Sequence, residues 1–280
     1  MRKGLIMFAA AMLLNLASVA QNAETVNVSK ERDGYFVHTF GDTRVEGNVR
    51  KGLKEGTWYE YNNTKNLLRR VIQFQNGTMD GLYMEIDENG YISKKTEYVK
   101  GNPEGTSYTW TNGGRLTQKS SYRNGKLHGE QILCYDNGNS QEVSNYSEGL
   151  RDGVTTWFNR EGNKSMMITY RKGLFEGKQE TYYATGGLKS SKMYKNNVLE
   201  GKSVEYYEGG DMKSEATYKN GSLVGKVKQY EDKHPYSAAK EAVKKEGKDL
   251  KLDTKKIAGS KTKVENTKKN NNAPVKAKKE

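Results

Sequence analysis

The sequence predicts an all-β fold: an elongated single-layer antiparallel meander of about eight 24-residue β-hairpin repeats, followed by a disordered basic C-terminal tail. Three observations carry this expectation. A Gly-x-x-x-Gly element returns at fixed period, polar and apolar residues alternate between the glycines, and the composition suits a thin sheet. Only 34% of residues are apolar, yet the chain holds 19 Tyr and 30 Gly against 3 Pro. That is too polar for two packed layers and too aromatic for disorder.

Residues 1–20 read as a secretory signal peptide. Arg2 and Lys3 supply the charged start and 5–17 the apolar run. Ser18-Val19-Ala20 then places small residues where a signal peptidase reads, so cleavage before Gln21 is expected. The run is short for a bilayer and no second apolar stretch of about 18 residues follows, so no transmembrane span is expected after cleavage. Residues 21–51 read as an N-terminal cap with a degenerate repeat. Tyr35, Val37, Gly41 and Val49 fall in register, and a cap over the first edge strand would keep that edge from pairing with other chains.

Residues 52–232 form the repeat domain. The glycine pairs are Gly52/Gly56, Gly77/Gly81, Gly101/Gly105, Gly125/Gly129, Gly149/Gly153, Gly173/Gly177 and Gly221/Gly225, with Asn197/Gly201 as a further copy. The first step is 25 residues and the later ones 24; the extra residue falls in 62–66, where a turn is expected. An aromatic precedes the first glycine by three positions, from Phe74 and Tyr98 through Tyr218. A second column lies five positions after the second glycine: Tyr61, Ile86, Trp110, Cys134, Phe158, Tyr182, Tyr206 and Tyr230. Each unit is thus two short alternating strands joined by glycine turns, with pairs such as Asn124-Gly125 supplying positive φ. A hairpin cannot bury its own apolar face, so neighbours must stack edge to edge, giving sixteen or so strands.

Residues 233–280 read as a lysine-rich tail. Ser237–Glu246 reads as a short helix after Pro235, and from Gly247 onward apolar content is too low for a folded segment. The formal net charge of +13 belongs mainly to this end of the chain, where 15 Lys face 8 acidic residues over 231–280. Attraction to an anionic surface follows from that excess; nucleic acid is not the expected partner, since no aromatics interleave with the lysines.

Catalysis finds no support. His38, His128 and His234 share no spacing, and the sequence shows no metal-ligand cluster, nucleophile motif or phosphate loop; no cofactor is expected. An acid precedes the second glycine in six copies: Glu55, Asp80, Glu104, Asp152, Glu176 and Glu200. Successive copies lie too far apart to share a calcium ion, so these acids are expected to pair locally with bases such as Lys51, Lys100, Arg171 or Lys172. The aromatic columns are expected to be the core. One member of each adjacent pair then points outward, which makes Trp157, Tyr183 and Tyr207 the candidate ligand-face aromatics. Cys134, in an aromatic column, reads as a buried inert thiol.

The unit Tyr122-x-x-Gly125-x-x-x-Gly129-x-x-x-x-x-Tyr135-x-x-Gly138 resembles the MORN-repeat variant found in many bacterial proteins, over roughly residues 35–230. The resemblance implies a single-layer sheet of hairpins. It also implies one of two roles, since similar proteins are often labelled antitoxins and MORN proteins are linked to membrane-associated scaffolding. The expectation drawn here is an exported, non-catalytic binding or scaffold module with a protein or glycan partner at the cell envelope. The alternative is an antitoxin-like protein that neutralises a toxin by direct binding.

Overall fold

A computed structural model describes residues 22–234. The expected signal peptide, helix and tail lie outside these residues. The first nine strands are β1 (Gly34–Phe40), β2 (Thr43–Arg50), β3 (Leu53–Asn62), β4 (Leu67–Gln75), β5 (Thr78–Ile86), β6 (Ile92–Val99), β7 (Asn102–Trp110), β8 (Leu116–Arg123) and β9 (Lys126–Cys134). The rest are β10 (Ser140–Ser147), β11 (Leu150–Arg151), β12 (Gly153–Phe158), β13 (Lys164–Arg171), β14 (Leu174–Tyr182), β15 (Leu188–Lys195), β16 (Val198–Tyr206), β17 (Met212–Lys219) and β18 (Ser222–Gln229). These eighteen strands form one open antiparallel meander, as the repeat pattern predicts. The two strands beyond the expected sixteen are those of the β1–β2 hairpin. Within the copies, the break at Asp152 that splits one strand into β11 and β12 offsets the last copy, which has the single strand β18.

Two devices define each Gly-x-x-x-Gly element. The first glycine belongs to a two-residue hairpin turn: Asn76 and Gly77 have φ of 49° and 78°, and Gln75 pairs with Thr78. Both φ values are positive, the geometry whose twist matches the flanking strands. The second glycine is not a turn residue, which corrects the expectation for Gly81, Gly105, Gly129, Gly153, Gly177 and Gly225. Each lies in a strand with φ between 71° and 109°. Opposite Ile72 and Phe74 stand Tyr83 and Met79, so three residues face one across a bulge. A side chain at Gly81 would run into Gln73.

The acids before the second glycine also act differently from expectation. Their carboxylates accept main-chain N–H groups of the next turn: Asn76 donates to Glu55 at 2.9 Å, Asn124 to Glu104 at 2.7 Å, Asn196 to Glu176 at 2.9 Å and Asn220 to Glu200 at 2.6 Å. Lys100 donates its N–H to Asp80 at 3.3 Å. The positive-φ turn leaves an N–H directed at the preceding copy, and a carboxylate satisfies it better than a distant ammonium group. These five acids therefore each fasten one repeat to the next.

Alternation gives the ribbon two faces. One carries Trp58, Ile72 and Tyr83 in a cross-strand column that continues through Thr96, Ser107 and Ser120. Residues 22–33 lie across its first part as a strap, burying Ala23, Val26 and Val28 with Val45, Val49, Trp58, Ile72, Phe74 and Tyr83. The expected cap over the first edge is thus corrected: residues 34–50 extend the sheet, and Tyr35 and Val37 on β1 remain exposed. The covering element is the strap, and it covers a face because its apolar residues need a wide apolar partner rather than a strand edge.

Candidate binding surfaces

On the strap face, Lys54 follows the first glycine of its copy by two positions. Later copies hold Met79, Pro103, Leu127, Arg151, Phe175, Leu199 and Leu223 there. The Lys54 ammonium lies 5.0 Å from the Phe74 ring and 5.6 Å from Trp58. It donates to the main-chain oxygens of Ala23 at 2.7 Å and Glu24 at 2.6 Å. Burial lowers its pKa to about 8, against the opposing pull of Glu24. Glu60 accepts the Ala23 N–H at 3.0 Å and pairs with Arg70 at 2.9 Å. A buried cation and a buried anion therefore hold the strap by its main chain. Sequence reasoning missed this pair; its trace is a lysine in an otherwise mostly apolar column.

Arg151 is the other cation of that column. Its guanidinium lies 5.5 Å from Tyr170, 5.6 Å from Trp157 and 6.0 Å from Tyr146, and it pairs with Glu142. Trp157 donates its indole N–H to the same carboxylate at 2.7 Å. Trp157 thus stands on the strap face beyond the strap, within a polar network. Tyr183 and Tyr207 occupy turns at one margin of the ribbon. Their hydroxyls donate to the main-chain oxygens of Tyr206 at 2.7 Å and Tyr230 at 3.0 Å, fastening successive copies. The three candidate aromatics do not form one cluster: two join repeats and one packs against an ion pair.

The opposite, open face carries the second aromatic column. Tyr61 pairs across the sheet with Leu68, Trp110 with Leu116, Tyr182 with Leu188 and Tyr206 with Met212. Tyr108 and Trp110 stack with ring centroids 5.6 Å apart, and Tyr59 and Tyr61 lie at 6.4 Å. These side chains remain half-exposed along the ribbon, and no described element covers them. Tyr182 donates to Glu180 at 2.9 Å, and burial, with that carboxylate, raises its pKa to about 12. Cys134 sits in this row half-buried, and burial pushes its thiol pKa up, away from a reactive thiolate. Among the described residues no three His, Cys, Asp or Glu side chains are grouped to hold a metal ion, and no helix is long and apolar enough to cross a membrane.

An open meander of similar hairpins, each touching only its neighbours, defines a repeat protein that works by offering surface along its length. The family described as MORN repeat variant matches residues 175–196 and 199–220, the hairpins β14–β15 and β16–β17. These two hairpins are MORN-repeat-variant units, and the other copies of the chain share their spacing. Repeats of this family are in general non-catalytic binding and scaffold modules. No curated protein matches the sequence.

Proposed function

We propose that this protein is an exported scaffold that binds a partner protein at the cell envelope through its open face, and that it acts by binding rather than catalysis. The observation that supports this reading is the half-exposed aromatic row, which places one large side chain in most copies. Strands about 4.8 Å apart set these side chains about 10 Å from copy to copy, a spacing suited to a long partner surface. Aromatic anchors of this kind dominate protein interfaces. The lysine-rich tail adds attraction to an anionic surface, and a glycan stacked on the rings is the other ligand this row suits.

The test is photo-cross-linking in cells, with a benzophenone side chain placed at Trp110 or, as a control, at its strap-face neighbour Thr109. A cross-linked product of defined mass from position 110 alone, on a chain starting at Gln21, supports the proposal. Equal products from both positions, or none from 110, overturn the open face as the binding surface. An intact Met1 chain found in the cytosol overturns export and leaves the antitoxin-like alternative.

A further inference from the structure

Six positions after the second glycine, the repeats hold a turn residue whose side chain decides how neighbouring turns meet. In three copies it is Tyr135, Tyr183 or Tyr207, and the hydroxyl reaches the carbonyl 23 residues on. In the second copy it is Asp87, too short to make that reach. A cavity of about 290 Å³ lies there, between the Asp87 turn and Asn112 of the next turn. Asp87 is 6% exposed. Its Oδ1 accepts the N–H groups of Asn89 and Tyr91, both at 2.9 Å, while its Oδ2 is buried with no hydrogen-bond partner among the described residues.

The turn does not require that second oxygen. At the equivalent place Asn159 makes the same turn with an amide, accepting the Asn163 N–H at 2.8 Å while its own N–H donates to the Asn163 carbonyl at 2.8 Å. Asp87 makes the matching main-chain bond to Tyr91 at 2.8 Å. An unpartnered carboxylate oxygen at a buried position is costly and calls for a donor. The rest of the lining shows which kind. Glu60 and Arg70 neutralise each other at 2.9 Å, leaving Glu85, Asp87 and Glu88 against Arg69. That balance is negative in a chain of net charge +13. The carboxylates are not grouped to chelate a metal ion.

We infer that the cavity beside Asp87 is a binding site for an organic cation, a guanidinium or ammonium group on a short chain. The volume is near the lower end for small-molecule sites and suits one long basic side chain or one small amine. The cation's N–H groups would satisfy Asp87 Oδ2, and the planar fork of a guanidinium would match a carboxylate in two bonds. The site lies at the turns, with Ile86 of the second column also in its lining, and does not depend on the function proposed for the open face.

The test is a titration of the chain from Gln21 to Glu280, followed by calorimetry and by amide NMR of residues 87–91. N-acetylarginine amide stands in for a partner's side chain, agmatine for a free amine, and N-acetylcitrulline amide is the neutral isostere. Saturable binding of either cation without binding of the citrulline compound supports the inference, and the tighter of the two identifies the source. Asp87→Asn, which keeps the turn that Asn159 makes naturally, should weaken binding at least tenfold. Asp87→Tyr, which copies the residue at the equivalent position 135, should fill the cavity and abolish binding while the sheet stays folded. No saturable binding, equal binding of citrulline and arginine compounds, or unchanged affinity in Asp87→Asn overturns the inference. So does calcium perturbing the same amides in preference to the organic cations.

Discussion

The two ends of the ribbon share one repeat and differ in what holds it together. Under the strap, Val45, Trp58 and Ile72 are fully buried, and an apolar core spans β2 to β5. Beyond it the same column passes through Thr96, Ser107, Ser120, Gln131, Ser144 and Thr155, where polar side chains take the place of apolar ones. Thr96 and Ser107 share a hydrogen bond at 2.7 Å, as do Thr181 and Ser190. The difference teaches that the repeat needs no continuous core. Cross-strand pairs worth about 0.2–1 kcal/mol each, hairpin turns and inter-repeat hydrogen bonds carry the uncovered part. The strap adds a conventional core only where it lies, and the last strand, β18, is exposed throughout.

That contrast can be broken or sharpened by measurement. Trp58→Ala removes a fully buried ring, so a loss of about 3–5 kcal/mol is expected in urea unfolding followed by circular dichroism. Tyr206→Ala, a half-exposed ring of the uncovered part, should cost well under half as much. Equal losses would mean that both ends rest on comparable cores.

A second test uses the buried cation beneath the strap. Lys54 titrates near pH 8 in the fold, and its ordinary value is 10.5. Between these values the unfolded chain binds more protons than the folded one, so this group makes stability rise with pH across that window. Comparing wild type with Lys54→Met between pH 7.5 and 10 should show the rise flattened in the variant. The same slope in both would remove Lys54 as its source.

The smallest effect concerns the joints between repeats. Tyr183→Phe deletes the hydroxyl that reaches the Tyr206 carbonyl and should cost about 0.5–1.5 kcal/mol. Hydrogen exchange should quicken at Tyr206 and its neighbours but stay unchanged in β3 and β4. Faster exchange in those distant strands would show coupling along the whole ribbon rather than between neighbours alone.

Much of this architecture was legible because a repeat states its rule many times over. Period, hairpin pairing, positive-φ turns and the two aromatic columns all follow from spacing and alternation. The bulge at the second glycine was not legible as such, since a glycine with positive φ serves a turn and a bulge equally well. The acids before it looked like partners for neighbouring lysines, because sequence displays side-chain charge and hides the direction of a main-chain N–H. Of the candidate site, the sequence marked the aromatic columns, yet Trp157, Tyr183 and Tyr207 turned out to be engaged in joints and an ion-pair network.

By itself the sequence determined the repeat, the number of copies and the antiparallel meander, because these depend on local periodicity and on residues a few positions apart. Only the tertiary structure decided which face the strap covers, that Lys54 and Glu60 hold it by its main chain, and that Asp87 borders a cavity. Those features join residues 23 with 60, 24 with 83 and 87 with 112. The strap contacts leave no periodic trace, since their energy depends on where the folded sheet brings two distant segments together, and the cavity arises where one copy departs from the residue its equivalents hold.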